Sequence, residues 1–379
     1  MTEWRKVKLG DLCERVTSGG TPKANVDSFY NPPTIPWLKT KEVNYCRIRE
    51  TENFISEDGL NNSSAKIIAP NSIIIAMYGQ GDTAGRVAIN KIPLTTNQAC
   101  CNLTLDRAKS DYEFVYYQLC TLYDKMVSLK SGAAQPNLNA QIIKNLIVEI
   151  PPLPIQHRIA EVLSRYDALI ENYQRQIKLL EEAAQRLYKE WFVDLRFPGH
   201  QSTPIINNLP QAWQKKRITD ILDIKYGKDH KKLKDGPIPV YGTGGIMRYA
   251  DSCLYCGESV LIPRKGSLNN IMLVNGSFWT IDTMFYSIPK IENAAKIAYF
   301  YLKDLDMYSF NIGAAVPSMT INILSGMEIS LPTDEIRHEF ECTVDNYYQQ
   351  IALLENQIRN LSEARDRLLP KLMNAEIEV

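Results

Sequence analysis

Five short segments combine glycine with hydrogen-bonding or cationic side chains: Thr17-Ser-Gly-Gly-Thr-Pro-Lys23, Tyr78-Gly-Gln-Gly-Asp82, Lys225-Tyr-Gly-Lys228, Tyr241-Gly-Thr-Gly-Gly245 and Arg264-Lys-Gly-Ser267. Backbone N–H groups in such loops can contact a phosphate, and Lys, Arg, Gln and Asn can address phosphates or base edges. The candidate contacts are Ser18, Gly19, Thr21, Lys23, Lys39, Gln80, Arg86 and Gln98 in the first half of the chain. In the second half they are Lys225, Lys228, Tyr241, Thr243, Arg264, Lys265 and Ser267. From Lys215 to Lys234 there are eight Lys/Arg against three Asp, a surplus suited to a polyanion. A glycine-rich loop is an ordinary turn more often than a ligand contact, so these segments need support from their context.

Other chemistry is poorly served. Asn31-Pro-Pro-Thr34 has the first three residues of an amino-methyltransferase motif, but that motif needs an aromatic fourth residue to stack on a flipped base. Tyr241-Gly-Thr-Gly-Gly245 lacks the spacing and acidic residue of a dinucleotide fingerprint. Cys253-Leu-Tyr-Cys256 has no second pair of ligands, whereas zinc takes four. His157 and His338 fall at equivalent helix starts and read as duplicated structure. With no Walker loop, nucleophile elbow or paired carboxylates, the expectation is no catalytic residue and no metal site.

The chain has 379 residues, 45% hydrophobic and 23% charged, with a formal net charge of zero. That length suggests two or three domains, and the composition is neither disordered nor generally basic. A local basic face still suffices for nucleic acid. The polar start, Met1-Thr-Glu-Trp-Arg-Lys6, does not read as a secretory signal, and runs such as Ile73–Tyr78 are too short to span a bilayer. Eight scattered cysteines fit reduced thiols, hence a cytoplasmic location.

The elements that would position the loops come from a duplication. Gly132-Ala-Ala-Gln-Pro136 matches Gly313-Ala-Ala-Val-Pro317, and the match continues without a gap through Ile142/Ile323, Pro151/Pro332, His157/His338, Ile170/Ile351 and Leu187/Leu368, at a constant offset of 181. Trp4–Leu12 resembles Trp213–Ile221 at an offset of 209, so the first half is 28 residues longer between these anchors. Shared frames with divergent middles suggest one task performed twice on different targets.

After Pro154 no Gly or Pro occurs until Pro198. Ile159, Leu163, Tyr166, Ile170, Tyr173, Ile177, Leu180, Ala184, Leu187 and Trp191 recur there at alternating steps of four and three, a heptad seam. Phe340, Val344, Tyr347, Ile351, Leu354, Ile358, Leu361, Leu368 and Leu372 repeat it, with Arg365 at one seam position, snorkelling or marking where the seam opens. Each helix of about 35 residues would be roughly 50 Å long. Each needs a partner for its apolar stripe, most simply the other helix. Antiparallel pairing would separate the two globular domains about a pseudo-two-fold axis; parallel pairing would set them side by side. The antiparallel form is favoured here. Tyr188, Trp191 and Phe192 are candidates for contacts with partner proteins.

The expected class is α/β (α+β), with domains at 1–150 and 198–332 and spacer helices at 151–197 and 333–379. Strands are expected at Ala65–Ala69, Ser72–Met77, Ser259–Ile262 and Ile271–Val274, and helices at Asp111–Lys130 and Ala294–Leu305.

Taken together, Ser131-Gly-Ala-Ala-Gln-Pro-Asn-Leu138 and Gly313–Pro317, the Ile150-Pro151 and Leu331-Pro332 ends, and the heptad helices from Gln156-His-Arg-Ile159 and Arg337-His-Glu-Phe340 carry a resemblance. So do Ser18-Gly-Gly-Thr-Pro22 with Ile35-Pro-Trp-Leu38, and Arg264-Lys-Gly-Ser267 with Phe278-Trp-Thr-Ile-Asp-Thr283. The chain resembles the specificity (S) subunits of type I restriction–modification systems, the HsdS family, over essentially its whole length. Val316 stands where glutamine is usual, and Thr333-Asp-Glu335 where Pro-Leu-Pro is expected. The resemblance implies two target-recognition domains, each reading half of a bipartite double-stranded DNA site, and helices that set the spacer. It also implies docking to two methyltransferase (M) subunits and to restriction (R) subunits. Methyl donor, ATP and Mg would then sit on the partners and no cofactor on this chain.

Overall fold

The protein is described by a computed structural model covering residues 4–130, 137–311 and 317–379; the Gly-Ala-Ala motifs fall outside the described residues. The chain divides into two compact units. Unit 1 is residues 1–172 with 357–379, and unit 2 is residues 173–356. The sequence-based borders at 150/151 and 332/333 follow the change from strand to helix, whereas the compact units cut through both long helices.

Unit 1 begins with β1 (Arg5–Lys8), β2 (Cys13–Ser18), β3 (Ile35–Leu38), β4 (Arg47–Ile48), β5 (Phe54–Ile55) and α1 (Glu57–Asn61). It continues with β6 (Ile73–Ala76), β7 (Val87–Asn90), β8 (Thr95–Thr96), β9 (Cys100–Leu105), α2 (Tyr112–Thr121), α3 (Tyr123–Ser128), α4 (Ala140–Lys144) and β10 (Ile147–Ile150). A five-stranded sheet has the order β2-β9-β6-β7-β4, and a smaller one β5-β3-β8. Central β6 is buried at every residue, which is why it reads as an unbroken apolar run rather than an alternating one. The expected strand at Ala65–Ala69 is corrected: only Ile68 pairs, in an isolated bridge to Leu94, while Lys66 and Ile67 are exposed and Pro70 follows. The expected helix Asp111–Lys130 is two helices, because the Leu122 backbone (φ −99°, ψ 13°) leaves the helical region. Asp111 caps α2, its side chain accepting from the Phe114 N–H at 2.9 Å.

Unit 2 contains a short hairpin, β11 (Ile205–Ile206) and β12 (Leu209–Pro210), then β13 (Gln214–Arg217), α6 (Ile218–Ile221), β14 (Leu222–Tyr226), β15 (Ile238–Gly242), β16 (Gly245–Ala250) and β17 (Tyr255–Cys256). β18 (Ser259–Pro263), β19 (Met272–Val274), β20 (Ser277–Thr280), β21 (Met284–Pro289), α7 (Ala295–Asp304), α8 (Ile321–Ser325) and β22 (Glu328–Leu331) follow. Its sheets have the orders β14-β21-β18-β19 and β16-β15-β20-β17.

The two long helices are α5 (Leu153–Tyr188), continued by a π-helical turn at Lys189–Val193, and α9 (Asp334–Met373). In unit 1, Ile159 and Leu163 share a core with Leu368 and Leu372, and Asp167 meets Arg365 at 2.6 Å. In unit 2, Trp191 and Phe192 lie 5.8 and 4.8 Å from Phe340, in a core that also holds Ala184, Leu187 and Val344. Facing positions rise along one helix as they fall along the other, so the helices run antiparallel within each unit. Ile170, Ile351 and Leu354 are buried seam positions; Ile177, Leu180, Ile358 and Leu361 are half-buried.

Two expectations about these helices are corrected. Arg365 does not snorkel to solvent; it is held inside unit 1 by Asp167, with Asp366 on its other edge. Tyr188, Trp191 and Phe192 do not form an outer surface for partners. They are buried among Phe340, Phe300, Phe197 and Trp213, because large aromatic area at a helix end is best removed from water by the domain that follows it.

Candidate nucleic-acid interface

In unit 1, β2 ends at Ser18 opposite Cys101, β6 ends at Ala76 opposite Cys100, and β7 starts at Val87 opposite Ile75. The loops after Ser18, after Ala76 and before Cys100 therefore leave one end of the five-stranded sheet. Thr21 donates its hydroxyl to the Gln98 side chain across that end. Lys39 joins them, since the Asn97 N–H donates to the Leu38 carbonyl at 2.9 Å, and the Lys39 ammonium lies 5.0 Å from the Trp37 ring centre. Ser18, Thr21, Lys23, Gln80 and Gln98 are exposed. Arg86 is half-buried and ties Asp82 (2.6 Å) to Asn44 (3.0 Å), and its hydrogen bond holds the Asp82 carboxyl below the usual range.

Gly19 is corrected as a candidate contact. It is buried, and its N–H is already given to the Cys100 carbonyl at 3.1 Å. A Cβ there would fall 2.2 Å from the Asn97 carbonyl oxygen, so glycine is required for close backbone approach.

Unit 2 builds the same end. β14 ends at Tyr226 opposite Phe285, and β18 ends at Pro263 opposite Met284. Lys228, Lys265 and Ser267 are exposed in the loops that leave there. Thr243 is brought to them by Asn270, whose amide donates to the Thr243 carbonyl at 2.7 Å. Arg264 lies over the Tyr226 ring, 5.2 Å from its centre. Lys225 is exposed but paired with Asp223 at 2.8 Å, a bond that raises its pKa. Tyr241 is half-buried, edge-on to Phe278 at 6.3 Å, and is more a wall of the domain than a free contact.

The two ends share a backbone frame that the aligned sequence does not reveal. Gly20 N–H donates to the Thr96 carbonyl at 2.8 Å, as Lys228 N–H does to Thr280 at 2.9 Å. Gly227 donates to Met284 at 2.9 Å as Gly19 does to Cys100, and its Cβ would lie 2.0 Å from the Ile281 carbonyl oxygen. β3 pairs parallel with β8 through Trp37/Thr95, and β15 with β20 through Val240/Trp279. Met77 donates to Ala99 and accepts from Leu138, just as Arg264 donates to Thr283 and accepts from Met319. A tryptophan fixes each frame: Trp37 Nε1 donates to Gly20 O at 3.0 Å, and Trp279 Nε1 to Lys228 O at 2.9 Å. These tryptophans come from non-equivalent strands, yet clamp the same carbonyl. Sequence reasoning did not single out Trp37, Trp279, Tyr226 or Asn270 as site residues; the tryptophans stand in the motifs Ile35–Leu38 and Phe278–Thr283, where the signal was present.

Buried ion pairs fix each sheet's helix to the long helices. In unit 1, Arg47 bonds Glu113 of α2 at 2.5 Å and Asp167 of α5 at 2.7 Å, and Tyr117 donates to Asp167 at 2.5 Å. In unit 2, Lys296 of α7 meets Glu258 at 2.5 Å, Asp345 of α9 at 3.0 Å, and Glu341. Glu113 and Lys296 are each the second residue of a ten-residue helix, with opposite charge. Elsewhere, Cys253 and Cys256 are exposed free thiols, and among the described residues no group of three or more His, Cys, Asp or Glu is placed to hold a metal. No helix among them is long and apolar enough to cross a membrane.

Comparison with known proteins agrees with this geometry. Residues 1–182 and 210–363 match the family described as the type I restriction modification DNA specificity domain. The chain is 27% identical over its whole length to the type I restriction enzyme MjaIX specificity subunit of Methanocaldococcus jannaschii, covering 94% of that protein. It is 26% identical to the MjaVIII specificity subunit of the same organism, covering 93%. Its fold is similar to the crystal structure of a type I restriction–modification S subunit from M. genitalium, with a TM-score of 0.61, 18% identity, and 98% of this chain and 96% of that one covered. Two recognition-type domains built on one backbone frame, joined by two antiparallel helices and matching this family over most of the chain, establish that the protein belongs to the type I restriction–modification specificity subunits, the non-catalytic DNA-recognition members of such systems.

Proposed function

We propose that each globular portion reads one half of a bipartite, non-palindromic DNA target. The observation that carries this is the loop-bearing sheet end built twice on the same backbone bonds but furnished with different side chains. A conserved frame with exchanged contacts is what two readers of different sequences need, since frame and phosphate contacts position while side chains at base edges specify. The helices act as a spacer ruler and dock two methyltransferase subunits, and restriction subunits join the assembly for cleavage. The chain binds no cofactor of its own; methyl donor, ATP and Mg belong to the partner subunits, and the complex works in the cytoplasm, on the cell's own DNA.

Modified-base sequencing of host DNA with and without the gene tests this. Loss of methyladenine from one bipartite motif on deletion is expected. A methylome that is unchanged, while the partner subunits are expressed and active, would sink the reading. The ruler has its own check. Removing one heptad from each helix shortens it by roughly 10 Å at 1.5 Å per residue, about 3 base pairs at 3.4 Å each. The accepted spacer should shorten or methylation should fail; retention of the original spacer would leave the helices as scaffold alone.

A further inference from the structure

We propose that the half-site read by unit 2 contains a guanine, and that Arg264 reads it in the major groove. The inference rests on the reading of unit 2 as a DNA-recognition domain and names what one of its side chains recognises.

The backbone of Arg264 is pinned from both sides, its N–H donating to Thr283 O and its carbonyl accepting from Met319, each at 2.8 Å. Met77 has the same two backbone bonds in unit 1. The frame therefore requires no cation at this position, and the guanidinium is particular to unit 2. That guanidinium is ordered without being neutralised. It lies over the Tyr226 ring, and Nη1 donates to the Asp282 carbonyl at 3.2 Å. Among the described residues no carboxylate lies within ion-pair distance of it, in contrast to Arg47, Arg86, Arg248, Arg337 and Arg365.

Tyr226 explains the ordering. The residue is 51% exposed, yet its ring is held edge-on by buried Phe285 at 5.1 Å. An exposed aromatic shelf fixes the plane of an arginine through cation–π contact while leaving the outer fork free. With Nη1 tied to a backbone carbonyl, Nε and the second Nη are left as a planar pair of donors with no protein partner among the described residues. Guanine offers two acceptors, O6 and N7, on its major-groove edge, and arginine matches them bidentately. Adenine replaces one acceptor by the N6 donor, which would oppose the guanidinium. Lys265 follows Arg264 in the chain and Lys228 lies two residues beyond Tyr226; both are exposed and suit phosphate contacts.

The test is modified-base sequencing of a strain carrying the complete system with wild-type protein, Arg264→Ala or Arg264→Lys, after confirming that each variant still co-purifies with its partner subunits. The wild-type motif is expected to contain a G·C pair at which Arg264→Ala loses discrimination by on the order of tenfold or more, the other half-site being unchanged. Arg264→Lys should not restore it, because an ammonium has no fork. If Arg264 only touches phosphate, Arg264→Ala will lower methylation evenly with no change of base preference and Arg264→Lys will rescue it, which overturns the proposal. A motif lost on gene deletion but unaltered by either variant also overturns it, while leaving the specificity-subunit reading intact. A methylome indifferent to gene deletion would instead strike the underlying reading.

Discussion

Replacing Asp167 with alanine is expected to destabilise unit 1 by about 3–5 kcal/mol, the usual cost of leaving a buried charge uncompensated. Asp167 is 8% exposed and accepts from Arg47, Tyr117 and Arg365. Arg47, at 7% exposure, would keep Glu113 and, at 3.7 Å, Glu171 but lose its close partner on Nη1, and Arg365 would keep only exposed Asp366. Burial alone would raise the Asp167 pKa; the Arg47 charge and the bonds from Tyr117, Arg47 and Arg365 outweigh it and hold the carboxyl below its ordinary value. A depressed carboxyl contributes stability above the unfolded value of about 4 and loses it as pH falls through the folded value. Wild type and variant should therefore converge in strong acid and differ most near neutrality. Hydrogen exchange in α2 and β4, together with urea unfolding at pH 7 and pH 3, reads this directly. A difference under about 1 kcal/mol at pH 7 would mean the cluster is solvated like a surface pair.

This cluster also shows which parts of the molecule were legible in the sequence. The helices and the duplication were, because a heptad spacing and a constant offset of 181 are local, periodic signals. The role of Arg365 was not: its partner lies 198 residues away, and a lone arginine in a seam looks the same whether it is paired or solvated. Trp191 and Phe192 were misplaced for a related reason. A single helix does not reveal that Trp213 and Phe340 will close over its end.

The candidate interface was legible in its cations and amides and illegible in its frame. Gly19 and Gly227 occupy one structural position, as do Thr96 and Thr280, but the first pair is 208 residues apart and the second 184. Insertions and deletions between the anchors shift the offset, and the shared bonds are backbone bonds that leave no side-chain signature. Glycine needed for close packing and glycine offered to a ligand also look alike in sequence, which is why Gly19 was taken for a contact.

The second large effect is expected at Lys296, where substitution by methionine should cost unit 2 about 3–5 kcal/mol by the same mechanism with the charges reversed. Lys296 is 5% exposed and is the cation shared by Glu258, Glu341 and Asp345. Burial opposes its charge, but Glu258 and Glu341 prevail and raise its pKa. Its contribution is therefore complete below the unfolded value of about 10.4 and is lost only as pH rises through the higher folded value. Burial also pushes the Glu341 carboxyl up despite Lys296, so without the lysine this group should take up a proton in mild acid. The Lys296→Met protein should thus regain stability between pH 8 and pH 5, a trend opposite in sign to the acid loss that Asp167 gives wild-type unit 1. Unfolding followed at those two pH values decides it; a deficit that does not narrow on acidification would remove Glu341 as its source. The long helices present carboxylates in both units: Asp167 and Glu171 face Arg47 in unit 1, and Glu341 and Asp345 face Lys296 in unit 2. Each domain therefore meets its helices through a buried cation of its own, carried by β4 in unit 1 and by α7 in unit 2, and Glu113 serves instead to compensate Arg47 and Lys91 within its domain.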